Sequence, residues 1–392
     1  MWAFGPNLGG CAGYQVQDTD MRRRRFLQGA AATILIADGR IWRLAAPQEI
    51  GEGPAFEPWR TWRRDARDGP LALVHAAILS SNAFNTQPWL FKVSASRIEL
   101  YADQKRNLGA FDPYLREMCF SMGCALENLS LAARAMGFRP SVSLPPGKLP
   151  LAPRSPESEL AARVELSQAP RHSDELFEAI PHRHTNRDPF DAAREVPSKF
   201  VHSLAGLATE ATDVRLFLFT DESDRKAIAD VIWEASERFL SDPEVRRGTQ
   251  AWYRTTPEEV QQRRDGAYVG ESSSLLRPGQ PLSYRHLMRT GRLFGLIAVR
   301  DRYDRAQTIS AGRIWQRAHL LATARGLAAR PANGAVEIID HERRLQLEPK
   351  TTAKLAQFTR DASWQPTFMF YMGYATIPAV ASARRSIQDV LI

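Results

Sequence analysis

Two stretches of the sequence share one helical pattern: SMGCALENLSLAARAMG at residues 121–137 and SAGRIWQRAHLLATARG at residues 310–326. They begin 189 residues apart (310 − 121), and the shift places Gly123 on Gly312 and Gly137 on Gly326. Small residues at helical spacing let two helices pack closely, and a glycine after the last apolar residue is a common helix end. Ordinary helix-forming patterns would produce part of the match. We interpret it as an internal duplication.

Similar elements surround both stretches. Residues 71–82 read as a helix, and residues 90–103 as a strand, a turn and a second strand. In the second half, VRLFLFT and FMFYMG read as strands. The pattern predicts an α+β fold with two pseudo-symmetric lobes, each a central antiparallel or mixed sheet flanked by helices. We expect a leader at 1–45, lobes at 46–155 and 156–392, and a lid insertion at about 240–305, where the composition is polar, aromatic-dotted and rich in Gly and Pro.

Composition limits the classes of function. Lys plus Arg number 52 against 44 Asp plus Glu, a net charge of +8 that favours anionic ligands. The arginines are scattered rather than gathered with aromatic residues, so we expect no nucleic-acid partner. No stretch is long and apolar enough to predict a transmembrane segment. The three cysteines match neither a disulfide framework nor a zinc site, and we expect Cys119 and Cys124 to be buried.

The amino terminus carries a targeting pattern. MRRRRFLQGAAATILIA, residues 21–37, contains Arg-Arg-x-Phe-Leu at 23–27, which looks like a twin-arginine export signal with its weakly apolar following run. It predicts a periplasmic protein. A retained basic leader would instead hold the protein at an anionic membrane surface. The alternative is a basic amphipathic leader with no export role.

A polar loop, SSNAFNTQPW at 80–89, gathers amide groups in one turn. Asn82, Asn85 and Gln87 are suited to presenting donors and acceptors to a flat heteroaromatic ring. Such side chains equally often satisfy the backbone of a plain helix-to-strand turn. Taken alone, the loop leaves both interpretations open.

A cationic segment, IPHRHTNRDPF at 180–190, offers an anion site. If it is extended, as its two prolines suggest, Arg183, Thr185 and Arg187 share one face and form a phosphate clamp. The alternative is a solvated turn paired with neighbouring acids. A metal site using His182 and His184 is disfavoured, because no further ligand stands at a recognisable spacing.

Two further segments complete the pattern: ARPANGAVE at 329–337, and a pair of arginines, Arg384 and Arg385, near the chain end. Together the four segments resemble the nitroreductase family of FMN-binding flavoproteins over roughly residues 70–392. The resemblance implies that Arg183, Thr185 and the tail arginines hold the FMN phosphate, with His184 contributing backbone, and that Arg187 stabilises the reduced flavin. It also implies flavin contacts from Asn82, Asn85 and Gln87, and from the Asn333 and Gly334 backbone.

The departures from the family are informative as well. The clamp and the tail arginines occur only in the second half, and the polar loop occurs only in the first. The chain is similar to the Acg-like branch, so the resemblance implies a monomer acting as a fused dimer, with one FMN between its lobes and a lid over it. The implied activity is electron transfer from NAD(P)H to a small acceptor without a catalytic side chain, although no dinucleotide motif is present. The alternative is an FMN-sequestering or sensing protein whose lid prevents turnover.

Overall fold

The computed structural model describes residues 51–63, 69–151, 157–209, 212–269 and 281–392, together with two short strands in the amino-terminal region. The strands are β1 Ile34–Ala37, β2 Arg40–Arg43, β3 Trp89–Val93, β4 Arg97–Asp103, β5 Phe138–Ser143, β6 Ser158–Gln168, β7 Val214–Phe219, β8 Tyr253–Arg254, β9 Ala267–Tyr268, β10 Leu293–Val299, β11 Ala328–Pro331 and β12 Gln365–Gly373. The α-helices are α1 Glu57–Thr61, α2 Pro70–Ala77, α3 Arg116–Ala135, α4 Glu175–Ala179, α5 Ser198–Ala205, α6 Glu222–Ser241, α7 Pro243–Gln250, α8 Pro257–Arg263, α9 Pro281–Arg289, α10 Arg305–Ala324, α11 Gly334–Arg344 and α12 Lys350–Thr359. Strands β1 and β2 form a hairpin within a unit spanning residues 1–49, and the unit from Ile50 to Ile392 contains the remaining elements.

Two four-stranded sheets repeat one topology. The first has the strand order β3-β4-β6-β5 and the second has β7-β10-β12-β11, with every neighbouring pair antiparallel. In both, the helix between the second and third strands crosses to an edge, and the fourth strand returns beside the second. The matching helices, α3 and α10, are each 20 residues long and begin 189 residues apart (305 − 116). The predicted α+β fold with an internal duplication is therefore confirmed.

The two helices cross at their matching glycines. A Cβ atom on Gly123 would lie 2.0 Å from the Ile309 carbonyl oxygen, and one on Gly312 would lie 2.0 Å from the Phe120 carbonyl oxygen. Residues 120 and 309 also correspond under the 189-residue shift, so the contact is reciprocal, as in a two-fold symmetric dimer interface. Backbone packs directly on backbone here, which holds the two sheets on either side of the helix pair.

The hydrophobic core follows the sheets. One cluster lies between α3 and the first sheet, and another lies between α10 and the second sheet. Within them α3 is buried along nearly its whole length, including Cys119 and Cys124, whose predicted burial is confirmed. A third cluster packs α6 and α11 against the other side of the second sheet.

The element boundaries differ in part from the sequence prediction. Strand β6 pairs within the first sheet although it follows residue 155, and all seven residues of β10 are buried in the second sheet although they fall inside the predicted lid. The insertion in the second lobe therefore comprises α6 to α9 with the short strands β8 and β9, and β10 ends it. The continuous apolar run LFGLIAV of β10 is typical of a buried strand, and it marks the end of the insertion.

The carboxyl-terminal tail runs back to the first lobe. After β12, the Arg384 backbone N–H donates to the Ala55 carbonyl oxygen, and Leu391 forms a parallel bridge with Phe91 on the edge strand β3. The tail thus joins the two halves on the side where the polar loop leaves α2. Within the described residues, no helix combines the length and the apolar character needed to cross a bilayer.

Candidate functional site

The polar loop between α2 and β3 has an unusual backbone. Phe84, Asn85 and Gln87 have φ values of 49°, 54° and 49°, in the left-handed region that residues other than glycine rarely adopt. The Asn82 side chain stabilises the turn by accepting the Gln87 backbone N–H at 2.8 Å. Strained backbone of this kind concentrates at functional sites, because other contacts must compensate for it.

Arg183 reaches into this loop from the cationic segment. Its side chain donates to the Leu79 carbonyl oxygen at 3.0 Å and to the Ser81 Oγ at 3.1 Å, and the residue is only 2% exposed. Burial lowers the pKa of Arg183 to about 10, since the charged guanidinium is separated from water. A positive charge is thus held by neutral acceptors.

Arg384 enters the same loop from the tail. It donates to the Asn85 Oδ1 at 2.7 Å and to the Ser80 carbonyl oxygen at 3.1 Å, and it is 1% exposed. Burial and the charge of Arg183 both lower the pKa of Arg384. The next residue, Arg385, bonds through its backbone N–H to the Gln87 Oε1 at 2.8 Å.

Neither of the two buried arginines, Arg183 and Arg384, forms an ion pair with any residue in the described ranges. Both guanidinium groups lie near the face of the Trp59 ring, at 5.8 Å and 4.6 Å from its centroid, and the Trp59 indole N–H donates to the Ser382 carbonyl oxygen. Four buried polar atoms around them have no hydrogen-bond partner among the described residues: Arg183 Nε, Arg384 Nε, His184 Nδ1 and Ser80 Oγ. Two buried charges beside such unpartnered polar atoms suit a bound anion, because buried charge is usually paired.

The far end of the cationic segment runs beside strand β11. The Asn186 backbone N–H donates to the Ala329 carbonyl oxygen, and the Arg330 side chain donates to the Arg187 carbonyl oxygen at 2.6 Å. Arg187 itself is exposed. The segment therefore connects the arginine pair to the strand that leads into Asn333 and Gly334.

Asn333 and Gly334 begin helix α11. The Asn333 carbonyl oxygen accepts the N–H groups of Val336 and Glu337, so the N–H groups that precede them lie at the helix amino terminus, where anions and electron-rich atoms bind. The Asn333 side chain fixes this turn by donating to Glu117 of α3 at 3.2 Å and accepting the Met369 N–H at 2.8 Å. The first lobe thereby positions the turn of the second.

A buried acidic group stands behind that turn. Arg116 bonds Glu117 at 2.8 Å and Asp340 at 2.7 Å, and Asp112 accepts the backbone N–H groups of residues 117 and 118. Burial, followed by the nearby Glu117 carboxylate, raises the pKa of Asp112 to about 7. Burial, followed by the nearby carboxylates of Glu117 and Asp112, also raises the pKa of Glu337 in the first turn of α11. Both shifts favour the protonated, uncharged form of these two carboxyl groups.

The insertion docks on the polar loop. The Asn85 side-chain amide donates to the Gly266 carbonyl oxygen at 3.1 Å, and the Gly266 N–H donates to the Asn85 carbonyl oxygen at 3.1 Å. Gln87 Nε2 donates to the Arg264 carbonyl oxygen at 2.7 Å. Asp265 between them pairs with Arg106 of the first lobe and with Arg254 of the insertion. The side-chain amides of Asn85 and Gln87, which were predicted to face a ring, are thus bonded to the insertion and the tail. The Asn82 side chain bonds within the loop itself.

The structure gathers most of the predicted site residues into two separate groups. Asn82, Asn85, Gln87, Arg183, Arg384 and Arg385 form one group, and Asn333 with Gly334 forms a second beside α3. Arg183 and Arg187 point differently, one buried and one exposed, while Thr185 and His184 between them are partly buried. Three residues of the site, Trp59, Ser81 and His319, were not predicted from the sequence. Ser81 lies in the polar loop and His319 in the second of the repeated helices, whereas no motif marked Trp59.

Relatives of the chain were found by sequence. It is 23% identical over 359 residues to two proteins named "Putative NAD(P)H nitroreductase" from Mycobacterium tuberculosis, strains CDC 1551 / Oshkosh and ATCC 25618 / H37Rv. Each match covers 87% of this chain and 95% of the relative. No protein-family model matches the chain.

Solved structures resemble parts of the chain. A Bacteroides fragilis nitroreductase with bound FMN aligns at a TM-score of 0.35 and 12% identity, covering 55% of this chain and 95% of that one. The FMN-dependent nitroreductase NfnB from Mycobacterium smegmatis, in complex with NADPH, aligns at a TM-score of 0.36 and 16% identity, covering 55% and 96%. By sequence, the chain is similar over most of its length to proteins that carry the nitroreductase name.

Proposed function

We propose that this protein is an FMN-dependent oxidoreductase of the nitroreductase family, in which a single chain acts as a fused dimer and binds one FMN. The observation that carries the proposal is the pair of buried arginines, Arg183 and Arg384, which have no carboxylate partner among the described residues. They lie beside unpartnered polar atoms, where the loop of one lobe meets the cationic segment and the tail of the other. The names of the two relatives support the same activity.

Different residues would bind different parts of the FMN molecule. Arg183 and Arg384 would bind the phosphate, since a guanidinium matches two phosphate oxygens. The amino terminus of α11, at Asn333 and Gly334, would face the electron-rich edge of the ring, and Arg187 would lie near its pyrimidine side. FMN, when bound, supplies the redox chemistry by accepting two electrons and passing them on. The protein's part is to bind, orient and shield.

NAD(P)H is the proposed electron donor and a small electron-poor molecule the acceptor. The donor is proposed from the names of the relatives, because the sequence holds no dinucleotide motif of its own. Stopped-flow mixing of the purified yellow protein with NADH or NADPH tests this. We expect the flavin absorbance to bleach with at least one of them.

The single site is tested by the visible spectrum and the flavin-to-chain ratio of the purified protein. We expect a ratio near one on a monomer measured by light scattering. A ratio of two would contradict the loss of the second site, and a colourless protein that takes up no FMN would refute the assignment.

A second candidate is FMN sequestration without turnover. It is favoured by the docked insertion, whose Gly266 and Arg264 backbone groups occupy the amides of the polar loop. Stable binding of FMN with no bleaching by either nicotinamide would favour this function.

We also propose export by the twin-arginine route, which transfers proteins already folded with their cofactor. Residues 21–33 of this segment, with the paired arginines, lie outside the described residues, so the proposal rests on the sequence at residues 21–37. A reporter fused behind residues 1–60 should appear in the periplasm. Replacing Arg23 and Arg24 with lysine should keep it in the cytoplasm, and a reporter that stays there without any substitution would refute export.

A further inference from the structure

One residue beside the arginine pair lies outside the four segments that carry the family resemblance. His319 lies in the middle of α10 and is 1% exposed. Its Nδ1 lies 3.2 Å from the Ser81 Oγ and 3.4 Å from a terminal nitrogen of Arg183. Its Nε2 lies 3.3 Å from the His184 carbonyl oxygen.

These partners fix the tautomer of the ring. A carbonyl oxygen only accepts hydrogen bonds, so Nε2 carries the hydrogen and donates to His184. Nδ1 is then the acceptor, and it faces the Ser81 hydroxyl and the Arg183 guanidinium. Burial and the adjacent Arg183 charge lower the pKa of His319 well below its usual range, so the ring stays neutral.

The neutral charge of His319 affects the charge that Arg183 can offer to a ligand. A buried arginine is usually held by a carboxylate, which neutralises it. Here the groups that hold Arg183 are a carbonyl oxygen, a hydroxyl and an imidazole. They fix its position, and no carboxylate among the described residues neutralises its charge.

We propose that His319 is a positioning residue that orients Arg183 through an uncharged hydrogen bond and thereby keeps its charge available to the phosphate dianion. The inference rests on the proposed function, since it assigns the phosphate of FMN to this arginine. It predicts that the charge of the acceptor at position 319, more than its shape, controls how strongly the site prefers a phosphorylated flavin.

Two substitutions separate charge from shape. His319→Gln keeps an acceptor toward Arg183 and a donor toward His184, whereas His319→Glu places a carboxylate at nearly the same point. The experiment measures the affinities of flavin-depleted protein for FMN and for riboflavin, and quenching of flavin fluorescence reports the binding. Riboflavin lacks the phosphate, so the ratio of the two affinities reports on the clamp alone.

We expect His319→Gln to bind FMN within about 3-fold of the unsubstituted protein. His319→Glu should lose about 10-fold or more in FMN affinity, the scale of one charge-assisted hydrogen bond, with little change toward riboflavin. Equal preference for FMN in the two variants, or an equal loss in both, would overturn the inference. An unsubstituted protein that binds riboflavin as tightly as FMN would overturn the phosphate site itself and the inference with it.

A second measurement covers the case in which His319→Glu does not fold. Nitrogen-15 NMR of histidine-labelled, unsubstituted protein distinguishes the two tautomers and the protonated ring. We expect one histidine, assigned through its loss in His319→Gln, to remain neutral with the hydrogen on Nε2 between pH 5.5 and 8. Protonation in that range, or the hydrogen on Nδ1, would overturn the inference.

Discussion

The crossing of α3 and α10 allows a quantitative prediction about the duplication. Gly123→Ala would place a methyl group 2.0 Å from the Ile309 carbonyl oxygen, where an ordinary contact begins at 3.4 Å. The helices must therefore separate by about 1.4 Å at this point. The obstacle is backbone, so no side-chain rotation relieves the overlap. Bonds from the buried Glu127 of α3 to Arg313 and Arg317 of α10 resist the movement.

Overpacking of this kind typically costs ~1–3 kcal/mol, and we expect Gly123→Ala to reach the upper end. Gly312→Ala should cost about the same, because its methyl group would meet the Phe120 carbonyl oxygen at the same 2.0 Å. One separation of the helices relieves both overlaps. The double variant should therefore lose little more than either single variant, rather than the sum of the two.

Urea denaturation followed by far-ultraviolet circular dichroism measures these changes as shifts of the midpoint at equal slope. Gly206→Ala is the matched control: this glycine is exposed at the end of α5, its φ is −65°, and a methyl group there meets nothing within 4 Å. We expect it to be neutral or slightly stabilising. Additive losses in the double variant, or a Gly123→Ala protein as stable as the control, would refute the reciprocal backbone contact.

Three further outcomes are expected. The combined change of Arg183 and Arg187 to alanine should give a folded protein without bound FMN, checked by its absorbance near 450 nm and its circular dichroism; a yellow protein would show that these charges serve another purpose. Asp265→Asn should weaken the link of the insertion to Arg106 and accelerate flavin bleaching by NAD(P)H by about 3-fold or more, measured by stopped flow; an unchanged rate would show that the insertion does not limit access. Because burial raises the pKa of Asp112 from 3.8 to about 7, the folded state binds its proton more tightly than the unfolded chain, so the stability that this group contributes is full below pH 3.8 and is lost as the pH rises to about 7. In Asp112→Asn, urea midpoints between pH 5 and 8 should fall less steeply, and an identical slope would contradict the raised pKa.

Much of the fold could be predicted because its signals are local. The apolar and small residues of α3 and α10 repeat at helical spacing, and the glycines that end them stand at matching places. Strands β3, β4, β7 and β12 follow from alternating or apolar runs. The predicted lid included the residues of strand β10. A short apolar run inside a polar insertion does not by itself indicate which sheet it joins.

The candidate site also combines residues that the sequence indicates with residues that only the fold brings together. Arg183, Arg384 and the polar loop are recognisable as residue types suited to an anion, yet their spacing along the chain leaves open whether they meet. His319 gave no signal at all, since a lone histidine on a helix usually packs in the core. Only the crossing of α10 beneath the loop brings its ring to Arg183.

The amino-acid sequence was enough to predict a duplicated α+β protein whose cationic segments suit a phosphate, because helix periodicity, glycine helix ends and arginine chemistry are properties of short stretches. Which of the arginines lack an acidic partner among the described residues became clear only from the three-dimensional structure. It buries Arg183 and Arg384 together behind Trp59, gives them only neutral partners among the described residues, and bonds the amides of the polar loop to the insertion. Burial and long-range pairing come from residues up to about three hundred positions apart, and no local pattern records them.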